Sequence, residues 1–307
     1  MKILLTGARG MVGKNVLEHK RASDFEFYTP TREELNLLDA SAIEKYFSEH
    51  NIDFIIHAAG VVGGIQANIK NPVKFLVDNM LMGVNLITES RKSNIFSLLN
   101  LGSSCMYPRG LDISLSEDMI LKGELEPTNE GYALAKVAAA RLCEYIVRES
   151  PEFSYKTAIP CNLYGKHDKF SADSSHMIPA VISKLAIAKN NGDISIDIWG
   201  DGEARREFMY AEDLADFIFY AIDNFSKMPQ NLNVGLGHDY SINEYYKEIA
   251  KVVGYSGSFE HDLSRPVGMR RKLVDNTLLA EFGWRSKTDL NTGIVKTYKF
   301  FLEEVGK

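Results

Sequence analysis

Lys2-Ile3-Leu4-Leu5-Thr6-Gly7-Ala8-Arg9-Gly10-Met11-Val12-Gly13 follows the first methionine of the chain. Residues 2–6 read as a short buried strand, and Val12 and Val16 then recur at helical spacing. Between strand and helix stand Gly7, Gly10 and Gly13, three residues apart. Glycines so placed let the backbone turn sharply, approach a pyrophosphate and pack the helix closely on the strand. The first amides of the helix, at Met11 and Val12, then face the anion. The stretch therefore predicts a dinucleotide site and the first unit of a doubly wound parallel sheet.

The next segments extend the same alternation. Residues 25–29 read as a second strand, Asp39 caps a helix that runs to about His50, and Phe54-Ile55-Ile56 is a third buried strand. It ends in His57-Ala58-Ala59-Gly60, where Ala58 and Ala59 leave room for a flat cofactor. A long helix is expected after Pro72, with Phe75, Met80, Val84 and Ile87 serving the core or a dimer interface. Residues 97–101 form the fourth strand and deliver Gly102-Ser103-Ser104-Cys105 at its carboxyl end, where open parallel sheets bind ligands.

After Gly165 the alternation loosens, with a helical run from Met177, a strand at 194–199, and helices at 212–224, 241–253 and 288–304. The expected division is a dinucleotide-binding domain over residues 1–165 and a smaller C-terminal substrate-binding lobe over 166–307. No Pro/Gly/Ser linker separates them, so the two should be interleaved.

A carboxylate after the second strand would hold a free ribose 2′-hydroxyl, and none is present there. Arg32 stands at that place and Arg9 lies inside the glycine turn. Two guanidinium groups can flank a 2′-phosphate, which favours NADP(H) over NAD(H).

Composition bounds the partners. With 307 residues, 45% hydrophobic and 25% charged, and a net charge of −6, the chain reads as a globular protein without a broad basic face for nucleic acid. No apolar run spans a membrane, and the N-terminus turns glycine-rich too soon for a signal peptide, so a cytoplasmic location is expected. Cys105, Cys143 and Cys161 lack paired metal-ligand spacing, which fits a reducing compartment and no bound metal.

Tyr132 and Lys136 sit four residues apart in Asn129-Glu130-Gly131-Tyr132-Ala133-Leu134-Ala135-Lys136, on one face of an alanine-rich helix. An ammonium beside a phenol should lower the phenol pKa and make Tyr132 a proton carrier near neutral pH. Such a spacing arises about once by chance in a chain of this composition. It gains meaning from the glycine turn and Ser103.

Taken together these segments resemble the extended short-chain dehydrogenase/reductase family, whose fold is of Rossmann type. The likeness runs end to end. It rests on Gly10-Met11-Val12-Gly13, Thr31-Arg32, Gly102-Ser103-Ser104-Cys105 with Tyr107-Pro108, Glu126-Pro127-Thr128-Asn129-Glu130, Asn162-Leu163-Tyr164-Gly165, Ser175-His176, Trp199-Gly200 and Arg206-Glu207-Phe208. Within the family the chain is most similar to the branch that reduces GDP-linked 4-keto-6-deoxy sugars, with epimerisation beside the ketone.

The resemblance implies roles for individual residues. Tyr132 would protonate the developing alkoxide, Lys136 would tune that phenol and hold the nicotinamide ribose, and Ser103 would orient the ketone. Cys105 and His176 match the family's acid/base pair for epimerisation. Lys184, Trp199, Arg206 and Lys272 match positions that contact the nucleotide sugar, and a homodimer is expected.

Three departures bear on the sugar and cofactor. Lys184 replaces a usual guanidinium group, Phe170-Ser171-Ala172 lacks a frequent His-Pro, and Pro30 replaces a frequent arginine. Other readings are reduction without epimerisation, for instance of a GDP-linked heptose, and a non-catalytic dinucleotide sensor. A sensor has little reason to keep Ser103, Tyr132 and Lys136. A dehydratase would carry an acidic pair after the serine, where Ser104-Cys105-Met106 has none.

Overall fold

The computed structural model describes residues 1–170, 175–265 and 269–305. Ser171 and Ala172, two residues of the Phe170-Ser171-Ala172 departure, lie outside them. In chain order the first half holds β1 (Lys2–Thr6), α1 (Met11–Glu18), β2 (Glu26–Tyr28), α2 (Ala40–Glu49), β3 (Phe54–His57), α3 (Ile65–Lys70), α4 (Pro72–Lys92), β4 (Ser97–Leu101), α5 (Glu130–Glu149), β5 (Ser154–Pro160) and β6 (Asn162–Tyr164). The second half holds α6 (Met177–Asn191), β7 (Ser195–Trp199), β8 (Arg205–Arg206), β9 (Phe208–Tyr210), α7 (Ala211–Asp223), β10 (Asn231–Val234), β11 (Tyr240–Ser241), α8 (Ile242–Val253), β12 (Ser258–Asp262), β13 (Arg271–Lys272), α9 (Thr277–Phe282) and α10 (Leu290–Val305).

Six strands form one sheet in the order β10-β5-β4-β3-β1-β2, and every neighbouring pair is parallel. The central strands are buried on both faces, which is why they read as continuous apolar runs. One face carries α1 and α7 over a core that includes Ile3, Leu5, Val16, Phe217 and Leu232. The other carries α2, α4 and α5 over Leu4, Ile55, Leu86, Leu98 and Tyr155. The chain leaves β1 for β2 on one side and returns to β3 on the other. That reversal opens a crevice at the carboxyl ends of β1 and β3, where the doubly wound fold places its ligand.

The second lobe has its own core, built by α6, α8 and α10 around Ile182, Ile198, Tyr245, Ile249 and Ile294. Two features stitch it to the sheet. β10, from late in the sequence, forms the sheet edge beside β5. Glu207, 1% exposed, accepts from the backbone N–H of Leu236, Gly237 (2.9 Å) and Val274 (3.0 Å), so one carboxylate ties β9 to two distant loops. Asp39 caps α2 as expected, accepting from the N–H of Ser41 and Ala42.

Candidate active site

The glycine turn sits at the carboxyl end of β1. Gly7 has φ +73°, and a Cβ there would lie 2.7 Å from the Ala59 nitrogen. A Cβ on Gly13 would lie 2.4 Å from the Gly7 carbonyl oxygen, so helix and turn approach as no larger residue permits. Gly10 precedes α1 without a side-chain cap, and no acidic residue occupies the first turn. The amides of Met11 and Val12 thus open onto the turn with the positive end of the helix dipole behind them. This cradle fits a pyrophosphate.

Arg9 and Arg32 are both exposed, and the charge of each reaches the same carboxylate, Glu33. That carboxyl is held below its usual value first by its own backbone N–H, then by Thr31, with the two guanidinium charges adding to the effect. Ala58 and Ala59 follow β3, where Thr6 Oγ1 accepts from the Ala59 N–H (3.2 Å) and meets His57 Nδ1 (2.9 Å). Burial, and secondarily the Lys136 charge, push His57 down to about 3, so it is a neutral structural residue at physiological pH. Asn79 accepts from the Val61 N–H (2.8 Å) and fastens the loop that follows.

At the carboxyl end of β4, Ser103 caps a short 3-10 turn, its Oγ accepting from the Cys105 N–H at 3.2 Å. The Ser103 side chain also acts on the Tyr132 phenol, favouring its ionised form, and Cys105 is near enough to Tyr132 for its charge to act there. Two donors converge on the half-buried Cys105 Sγ: Asn129 Nδ2 at 3.2 Å and Lys272 Nζ at 3.3 Å. Burial raises the thiol pKa, but the Lys272 charge and the hydrogen bonds of Ser103, Lys272 and Asn129 outweigh it and leave it below the ordinary value. Cys143 is pushed up to about 12 and Cys161 is also raised, both by burial.

One expectation is overturned. Lys136 does not lower the Tyr132 phenol: burial first, then the Cys105 charge, raise it well above its usual range, against the Ser103 hydrogen bond. The reason is direction. Lys136 Nζ donates to the Leu101 carbonyl at 2.9 Å and lies 5.8 Å from the Tyr132 ring centre. Burial in turn pulls the ammonium down to about 8. A raised pKa still suits a proton donor, because the phenol keeps its proton until an alkoxide develops beside it.

The second lobe contributes more loosely. His176 immediately precedes α6, and its Nδ1 lies 3.6 Å from Asp168 Oδ1. Lys184 pairs with Asp197 at 2.6 Å. Exposed Trp199 carries the Arg265 guanidinium 5.1 Å above its ring, and half-buried Arg206 donates to the Arg205 carbonyl. The structure thus gathers Ser103, Cys105, Tyr132, Lys136 and Lys272, while His176, Lys184 and Trp199 make their described contacts within the other lobe. Sequence reading assigned no role to Asn129, although a polar residue just ahead of the helix that bears Tyr132 was a usable signal.

A family model described as "NAD dependent epimerase/dehydratase family" matches residues 3–235. The chain is 67% identical to a GDP-L-colitose synthase of Yersinia pseudotuberculosis, over 99% of both chains. It is 48% identical to a GDP-L-fucose synthase of Azorhizobium caulinodans, over 98% of this chain and 96% of that one. Among solved structures, a GDP-mannoheptose C4 reductase from Campylobacter jejuni with NADP bound superposes with a TM-score of 0.87 at 30% identity, covering 98% of both chains.

Proposed function

The chain belongs to the NAD dependent epimerase/dehydratase family, and we propose that it is an NADPH-dependent epimerase/reductase of a GDP-linked 4-keto-6-deoxy sugar. The convergence of Ser103, Tyr132 and a thiol held below its ordinary pKa at the end of β4 carries this reading. It supplies an acid for the ketone oxygen and a base for a carbon beside it.

The glycine turn would hold the pyrophosphate of NADPH, Arg9 and Arg32 its 2′-phosphate, Ala58 and Ala59 a flat face, and Lys136 the nicotinamide ribose. Bound NADPH supplies the hydride. Ser103 donates a hydrogen bond to the 4-keto oxygen, and Tyr132 hands over its proton as negative charge grows there. Before reduction the ketone acidifies the C–H bonds beside it. Cys105 takes one such proton and His176, from the other lobe, returns one to the opposite face. Lys184, Trp199 and Arg206 are proposed contacts for the GDP moiety.

The higher identity to the colitose enzyme favours a sugar lacking the 3-hydroxyl. A 3-deoxy sugar has no stereocentre at C3, so inversion would then be confined to C5. The likeness to a C4 reductase supports a second reading, reduction without inversion.

The test is NADPH oxidation with GDP-4-keto-6-deoxymannose and its 3-deoxy analogue, with product stereochemistry by NMR. Faster turnover of the 3-deoxy analogue with inverted C5 is expected. No oxidation with either sugar would overturn the assignment.

We infer a homodimer as well. Ile69, Val73, Val77 and Leu81 form an exposed apolar stripe along α3 and α4, beside Leu134 and Tyr145 on the adjoining α5. A second copy of the same helix pair would cover it. Among the described residues no helix is long and apolar enough to cross a membrane. With three free cysteines in hand, the proposed compartment is the cytoplasm.

A further inference from the structure

Lys272 entered as a contact for the nucleotide sugar, yet its ammonium is committed elsewhere. β13 is the two-residue strand Arg271–Lys272, and successive strand residues point to opposite faces. Arg271 turns to Asp239 at 2.6 Å, and Lys272 turns the other way, to Cys105 Sγ, across 167 positions of sequence. Asn129 approaches the same sulfur with its amide nitrogen, while its Oδ1 is buried with no partner of its own. An amide that leaves its oxygen unsatisfied in order to aim its N–H₂ at sulfur is oriented for an acceptor, and a thiolate is the better acceptor.

We propose that Lys272 and Asn129 are positioning residues that hold Cys105 as a thiolate in the resting protein, before any substrate arrives. The inference deepens the epimerase reading and rests on it for its purpose. The groups around the sulfur are Lys272 from β13, Asn129 and Tyr132 from the start of α5, and Ser103 from the end of β4. Lys272 is the only one of these that carries a positive charge. When the thiolate takes a proton from the carbon beside the ketone, the C–H electron pair passes into the enolate and Sγ becomes a neutral thiol. Lys272 then faces no anion at sulfur and is released toward the enolate or the diphosphate. One cation would thereby serve the base first and the substrate second.

The experiment needs no sugar, so it can fail independently of the assigned reaction. The intact protein is titrated by thiolate absorbance near 240 nm and by the pH dependence of iodoacetamide alkylation at Cys105, read by mass spectrometry. Cys105→Ser supplies the background. The Cys105 midpoint is expected below the ordinary thiol value of about 8.5. Lys272→Met should raise it by about a unit or more, Asn129→Ala by less, and Lys272→Arg should restore most of the depression. A midpoint at or above 8.5 in the unmodified protein overturns the proposal. So does an unmoved midpoint in a folded Lys272→Met, which would leave Lys272 a substrate contact, read only as a raised KM.

Discussion

The Lys136 ammonium donates to the Leu101 carbonyl over 2.9 Å, so the last residue of β4 and the second turn of α5 are joined by a buried charge. Burial leaves that charge weakly held, with a pKa of about 8 against an ordinary 10.5. The folded protein therefore loses this proton as pH rises through about 8. An activity that needs the ammonium should fall there, with kcat/KM for NADPH declining tenfold per pH unit. Lys136→Arg should flatten the decline, since its charge persists. For stability the sign is opposite: between pH 8 and 10.5 the unfolded chain binds the extra proton, so stability rises with pH across that window. A flat activity profile to pH 10 would remove Lys136 from the site.

Tyr132→Phe removes one oxygen and the only proposed acid for the ketone. Turnover should drop by roughly a hundredfold or more, with NADPH affinity by fluorescence titration unchanged. Unaltered turnover would reduce Tyr132 to a packing residue.

The strands that build the crevice are legible in sequence because each is a short apolar run that ends in small residues. β10 is not. Its Asn233 places a polar side chain in the sheet, explicable only once Tyr107 is seen donating to it at 2.6 Å and its own amide donating to Leu115 and Asp275. The same limit governs the site. Spacing put Lys136 on the face of Tyr132, but the acceptor that draws it away, a carbonyl at the end of another strand, leaves no mark in a one-dimensional pattern. Cys105 could be noticed for its neighbours, whereas its cation comes from the far end of the chain. Resemblance supplied names for these residues, and only the fold supplies their partners.

Glu207→Gln tests the tie between the lobes. An amide nitrogen in place of one carboxylate oxygen would confront a backbone N–H and leave it unsatisfied, at a cost of about 1–3 kcal/mol. The urea midpoint should fall accordingly, and an unchanged midpoint would show that the N–H facing the new amide nitrogen finds another acceptor.

Arg32→Ala should lower kcat/KM for NADPH by about tenfold while leaving NADH nearly untouched, since one charge-assisted contact to a 2′-phosphate is worth on the order of 1–2 kcal/mol. Equal losses with both cofactors would mean that Arg32 serves the fold and not the phosphate.

Val77→Glu on the exposed stripe should leave the protomer folded and yield a monomer by light scattering, because a charge there meets water in one copy and an apolar face in two. A persistent dimer would place the interface elsewhere.

The central claim is that two chemistries share one ring: Tyr132 serves the ketone oxygen, and Cys105 serves the carbon beside it. It is tested most directly by incubating the 4-keto sugar with protein and oxidised cofactor in deuterated water, then reading deuterium by mass and NMR. The unmodified protein should incorporate deuterium beside the ketone, and Cys105→Ser should slow that exchange while still reducing the ketone when NADPH is supplied. Reduction by the unmodified protein with no deuterium incorporated would contradict the account and leave a reductase alone.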